Sequence, residues 1–180
     1  MHDNESLTLP RIKVEKSAIH GAGVYATHPI RKGERIIEYV GEKITSEEGT
    51  RRSNVHPELT YIFILNEKFD IDGSVGGNDS QFINHSCDPN ADTDATEEHI
   101  WIVALNDIAE GEEITYDYSF ASDDDPIKCR CGTEKCRGYL NEYASEEEKQ
   151  QKLREFSQKK NKPGSLKTNG EDPIEPVIQD

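Results

Sequence analysis

Apolar and polar residues alternate along this chain in short runs separated by turn formers. Residues 11–15 (RIKVE) have the period of two that a half-buried strand shows. Further short strand candidates follow at 23–27, 35–44, 61–65, 69–72, 100–105 and 113–116, broken by Pro29 to Gly33, Asp72-Gly73 and Gly76-Gly77. Residues 46–53 fit one short helix, with Ser46 as its cap and Glu47 and Glu48 in its first turn. From Ser145 the run SEEEKQQKLREFSQKK has a serine cap, an acidic first turn and a basic last turn, which predicts a second helix with Leu153 and Phe156 as its apolar anchors. Many short strands and few helices predict a mainly β fold of small sheets with irregular connections.

Composition narrows the partners. The chain has 180 residues, 33% hydrophobic and 32% charged, with a net charge of −15. Residues 142–180 hold 7 basic and 9 acidic side chains, leaving 14 and 27 in residues 1–141, a net of −13. An acidic domain repels phosphate backbones and attracts cations, so a basic protein or peptide partner is expected and direct nucleic-acid binding is not. Residues 1–9 read as a loose arm, and the Pro- and Gly-containing segment beyond Lys162 as a disordered tail. No secretory signal and no apolar run of membrane-spanning length is visible, so an intracellular protein, cytoplasmic or nuclear according to its source, is expected.

Four cysteines carry the clearest chemistry. Cys129, Cys131 and Cys136 form a C-x-C-x4-C cluster, and Cys87 lies in Asn84-His85-Ser86-Cys87. The segment KCRCGTEKCRG is too polar for a core, and four thiolates suit one structural, tetrahedral zinc. Gly21-Ala22-Gly23 sits between two strand candidates without the βαβ setting of a dinucleotide site, so a small-molecule enzyme of that type is disfavoured. The segments 82–90 (FINHSCDPN) and 111–118 (GEEITYDY) are dense in polar and aromatic residues. Taken singly, His85, Tyr116 and Tyr118 fit ordinary core roles.

In order, residues 17–26 (SAIHGAGVYA), 82–90, 111–118 and 129–140 closely resemble the SET-domain protein lysine methyltransferases that carry a cysteine-rich post-SET segment. The likeness runs from about Arg11 to Asn141. Gln81 stands where many relatives have Arg, and the variable insert, Thr45 to Thr60, is short. The resemblance implies a SET fold with a knot-like crossing of the Asn84 and Tyr118 segments, over residues 10–120. A zinc-bound post-SET segment over 121–141 and a charged helix and tail over 142–180 would follow.

It also implies S-adenosylmethionine as methyl donor, approached by the backbone of Gly21 and Gly23 with Tyr25 nearby. Asn84 and His85 would contact its amino and adenine ends, and Leu140 would pack on the adenine. Tyr118 is the implied catalytic tyrosine, Tyr116 and Tyr61 line the lysine channel, and Phe120 lies near its mouth. Zinc would be held by Cys87, Cys129, Cys131 and Cys136. A basic substrate such as a histone tail or another Lys-rich protein, a monomeric enzyme, and a mono- or dimethylated product are expected. A non-catalytic module that only binds basic tails is the competing reading. The presence of both Asn84 and Tyr118 favours the enzyme.

Overall fold

The computed structural model describes residues 11–55 and 61–160. The expected N-terminal arm, residues 56–60 of the insert and the tail beyond Lys162 lie outside the described residues. In chain order the elements are β1 (Ile12–Lys16), β2 (Ala22–Ala26), β3 (Arg35–Glu38), β4 (Glu42–Thr45), α1 (Ser46–Val55), β5 (Ile62–Ile64) and β6 (Phe69–Asp72). A 3₁₀ turn (Asp79–Phe82) leads to β7 (Asn84–His85), β8 (Ala91–Ala95), β9 (Ile100–Ala104), β10 (Glu113–Tyr116) and α2 (Glu146–Lys160).

The strands form three small sheets, ordered β1-β2-β10-β7, β3-β9-β8 and β4-β6-β5. β9 explains how they join. Its Ile100, Ile102 and Ala104 point inward and are buried, while Trp101 and Val103 alternate to the other face. Ile102 meets Val24, Ile83, Ile108 and Ile114 in one core that the first two sheets share, and Ile100 joins Tyr39, Leu65 and Ile71 in a second. Each such aliphatic side chain contributes about 1.5–3 kcal/mol by leaving water.

Residues 35–44, read from sequence as one strand, are two strands in two different sheets. The break is at Gly41, where a Cβ would collide with the main chain of Asp72 and Gly73. The α1 cap is also displaced by one residue. Thr45 Oγ1 accepts from the Glu48 amide at 3.2 Å, while Ser46 Oγ donates to the buried Asp70 at 3.1 Å. At α2 the expected cap stands: Ser145 Oγ accepts from the Glu148 amide at 3.1 Å, and Glu148 accepts from the Ala144 amide at 2.6 Å. Three elements had no clear sequence signal: the 3₁₀ turn, β7 and β8.

β7 determines the site. This two-residue strand runs parallel to β10, with Thr115 opposite Asn84 and Tyr116 opposite His85. The two segments whose crossing the resemblance implied are therefore hydrogen-bonded neighbours.

Candidate functional site

On one side of β10 a polar cluster is organised by Glu113, which faces Tyr25 across the β2–β10 pairing. Its Oε1 accepts from Ser17 Oγ at 2.7 Å and Asn84 Nδ2 at 2.9 Å, and its Oε2 accepts from the Tyr25 hydroxyl at 3.0 Å. Asn84 Nδ2 also donates to the carbonyls of His20 (3.2 Å) and Ala22 (2.9 Å). Three acceptors around one amide nitrogen set its orientation. No partner for Asn84 Oδ1 is found among the described residues, so this carbonyl is available to a donor such as an ammonium group. Gly21, at φ +44°, closes a turn in which its carbonyl accepts from Ser17 N at 2.9 Å. Gly23 has an internal reason to be glycine, since a Cβ there would overlap the Glu113 carboxylate and the Ser17 side chain.

Beyond β10 lies an aromatic cluster. The Tyr118 ring sits 5.0 Å from Tyr116, 5.4 Å from His85 and 6.0 Å from Phe120, centroid to centroid. Its hydroxyl donates to the Ile83 carbonyl at 2.9 Å. Phe63 extends the cluster from Tyr116 to Tyr39, at 6.0 and 5.3 Å. Tyr61 enters through its carbonyl, which accepts from the Tyr39 hydroxyl at 2.7 Å. It also lines a cavity of about 310 Å³ with Val55, Ile62 and Val75. Burial raises the pKa of Tyr39, Tyr61 and Tyr116, so these phenols stay neutral.

His85 is committed to the protein. Its Nδ1 accepts from the Tyr118 amide at 3.1 Å, and its Nε2 lies 3.3 Å from Cys87 Sγ. Burial lowers its pKa to about 4 against the opposing pull of the nearby Asp117 carboxylate, and so keeps the ring neutral as that acceptor role requires. The imidazole therefore holds Tyr118 in place rather than presenting a free ligand group. Ser119 follows at φ +50°, a left-handed turn closed by its amide donating to Asp117 at 2.9 Å, which redirects the chain away from Tyr118.

The four cysteines, 42 residues apart at their widest gap, converge: their Sγ atoms all lie within 4.8 Å of one another. Cys87 and Cys129 Sγ are 3.7 Å apart. A tetrahedral ion with metal–sulfur bonds of about 2.3 Å requires an edge of about 3.8 Å, so the thiols fit zinc. Burial raises the Cys87 and Cys129 pKa values, which a bound dication reverses by stabilising thiolates. The segment bearing three of them is held to the chain just after Tyr118 by the Phe120–Asn141 bridge. The fully buried Asn141 accepts from Ile127 N and donates to the Ala121 carbonyl, each at 3.0 Å. Leu140 is buried beside it.

The structure thus brings Gly21, Gly23, Tyr25 and Asn84 to one side, Tyr116, Tyr118 and Phe120 to the other, and the thiols beside His85. Sequence reasoning missed Glu113, Tyr39, Phe63, Arg137 and Asn141. Glu113 lay inside a motif already noted, but its partners Ser17, Tyr25 and Asn84 come from two other segments, 17–26 and 82–90. Tyr39 had no signal, being one more aromatic residue in a strand candidate.

Comparison with known proteins gives the same picture. The SET domain profile matches residues 21–119. The histone-lysine N-methyltransferase trithorax of Drosophila virilis is 41% identical over 137 residues, 72% of this chain and 4% of that protein. The histone-lysine N-methyltransferase set-2 of Caenorhabditis elegans is 42% identical over 138 residues, 72% of this chain and 9% of that protein. This chain therefore spans a small part of the length of these relatives. Among solved structures, ctPRC2 in an autoinhibited conformation bound to S-adenosylmethionine matches with a TM-score of 0.55 and 33% identity, over 61% of this chain and 15% of that one.

Proposed function

Because the chain belongs to the SET domain family, we propose that it is a protein lysine N-methyltransferase acting on a basic protein such as a histone tail. S-adenosylmethionine, as donor, would supply an electrophilic sulfonium methyl. The observation that carries this reading is the placement of Tyr118 between an aromatic cluster and the strand bearing Asn84. Asn84 Oδ1 and the Glu113 carboxylate would form a cradle suited to a cationic donor, and Leu140 would give it an apolar wall. SAM-bound ctPRC2 supports the same donor here.

The protein's own groups then have definable tasks. Tyr116, Tyr61, Tyr39 and Phe63 would strip water from the lysine, and the donor's positive charge would further favour its neutral amine. The Tyr118 hydroxyl donates to the Ile83 carbonyl, so toward a substrate amine its oxygen would act as an acceptor, turning the nitrogen lone pair toward the methyl. No group placed as a nucleophile is needed for direct transfer. We read residues 10–120 as the catalytic domain and 121–141 as its zinc-held wall. No helix among the described residues is long and apolar enough to cross a membrane, and a histone substrate would place the enzyme with chromatin.

Incubation with methyl-labelled S-adenosylmethionine and a panel of basic proteins, histone H3 included, tests the reading. Label on a lysine is expected. Donor binding without transfer to any protein in the panel or in a cell extract would favour the binding module instead. Because residues 1–141 carry a net charge of −13, affinity for a Lys/Arg-rich peptide should fall by about tenfold or more between low and physiological ionic strength. Donor affinity should change little. Equal salt responses would reduce the acidic surface to a solubility role.

The product should stop at mono- or dimethyl-lysine. Tyr116 is nearly buried, and no partner for its hydroxyl is found among the described residues. That hydroxyl can hold a water or the amine and occupy the space a further methyl needs. Tyr116→Phe should raise the product by at least one methyl at a similar overall rate. Mass spectrometry at long reaction times checks this, and abundant trimethyl-lysine from the unaltered protein would contradict it.

A further inference from the structure

Arg137 lies between Cys136 and Gly138, yet its side chain reaches out of the thiol cluster. Its Nη1 and Nη2 donate to Asp117 Oδ2 and Oδ1 at 2.5 and 2.7 Å, a paired contact of the kind a guanidinium makes and an ammonium cannot. Nη2 also donates to the Leu140 carbonyl at 2.6 Å, and Nε to the Asn141 carbonyl at 3.1 Å. The main-chain amide of Arg137 points at Cys87 Sγ at 3.5 Å, and its carbonyl accepts from Lys149 Nζ of α2 at 3.2 Å. One half-buried side chain thus closes the 137–141 turn around itself and ties that turn to the residue between Tyr116 and Tyr118. Asp117 is a matched receptor: burial opposes its charge, but the Arg137 guanidinium holds its carboxyl below the ordinary value.

The zinc ligands cannot do this work. Three of them shape the 129–136 loop and Cys87 ties that loop to the segment after Asn84, whereas Leu140, four residues past the last cysteine, is held by its amide donating to the Ile127 carbonyl and by its carbonyl accepting from Arg137. Resting on the donor-binding reading above, we propose that Arg137 is a positioning residue: through Asp117 it seats Leu140 as the wall of the donor pocket. It therefore governs donor affinity separately from both zinc content and the reacting tyrosine. Tyr118 has its own supports in Ile83 and His85, so its placement survives loss of the latch.

The test compares the unaltered protein with Arg137→Lys, Asp117→Asn and the double variant. Calorimetric titration with S-adenosylmethionine and S-adenosylhomocysteine gives affinity, and metal analysis gives zinc per chain. Transfer is then measured at saturating donor. Lysine keeps the charge but loses the paired geometry, so a rise in donor Kd of about tenfold is expected, with zinc unchanged and saturated turnover within about threefold. Asp117→Asn, whose amide oxygen can still accept from the Ser119 amide, should act in the same direction, and the double variant should fall short of the product of the two single effects, since the Arg137–Asp117 contact is shared by both. An unchanged Kd in Arg137→Lys, or a rise that merely tracks lost zinc, overturns the proposal. If the unaltered protein binds neither compound, the donor-binding reading itself fails and this inference with it.

Discussion

Tyr118→Phe should lower single-turnover methyl transfer by about 10²–10³-fold, the usual cost of deleting one preorganised polar group at a reacting centre. The ring itself should not move. Tyr116, His85 and Phe120 surround it, and the His85 imidazole holds its main-chain amide. What disappears is an oxygen whose proton is given to the Ile83 carbonyl and which, on the proposed reading, would accept from the substrate amine. The exposed Ile83 carbonyl costs about 1–3 kcal/mol of stability if it finds no other donor. Thermal melting should shift by a few degrees and donor Kd by less than about threefold. Transfer at the unaltered rate would remove Tyr118 from the reaction.

The second large effect is expected from the metal. About one zinc per chain should be found in freshly purified protein, and Cys129→Ser or strong chelation should abolish both the metal and donor binding. Structural zinc contributes about 10–16 kcal/mol in small folded units, and the 121–141 segment has little beside it other than the Arg137–Asp117 pair, the Asn141 hydrogen bonds and a few main-chain bonds. Its described strand-like pairings are the isolated bridges Phe120–Asn141 and Lys128–Tyr139, and its buried apolar residues are Cys131 and Leu140. Hydrogen exchange should therefore rise over 121–141 on metal loss, while β1, β2 and β10 stay protected by the shared core of Val24, Ile83, Ile102 and Ile114. Slow exchange over 121–141 in metal-free protein would show that the thiols are not ligands, and so would a zinc content near zero before chelation.

These two experiments address parts of the site that were legible in different degrees. The cysteine cluster was readable because its ligands carry their chemistry in residue type. Four thiols, three of them within eight residues of a segment too polar for a core, leave few other uses. Tyr118, Tyr116 and Asn84 were readable through ordered motifs. Glu113 and Arg137 were not, although each stands inside a quoted motif, because a charged residue beside a strand or a cysteine is most often solvated surface. Only folding places Ser17, Tyr25 and Asn84 around one carboxylate, and Asp117 against one guanidinium.

The same division runs through the fold. By itself the sequence determined the local elements with a clear apolar pattern or a cap: the alternating strands at 11–15, 69–72 and 113–116, the apolar run at 100–105, α2 behind Ser145, and the thiol set. These depend on neighbours within about five residues, so composition and spacing suffice. Tertiary structure alone decided where 35–44 breaks, since Gly41 yields to the main chain of Asp72 and Gly73, thirty residues on. It alone made residues 84–85 a strand, because two residues have no period and take their conformation from β10. And it alone decided which polar groups became a site: hydrogen bonds and desolvation depend on distances of a few ångströms between segments, and those distances do not exist until the cores have closed.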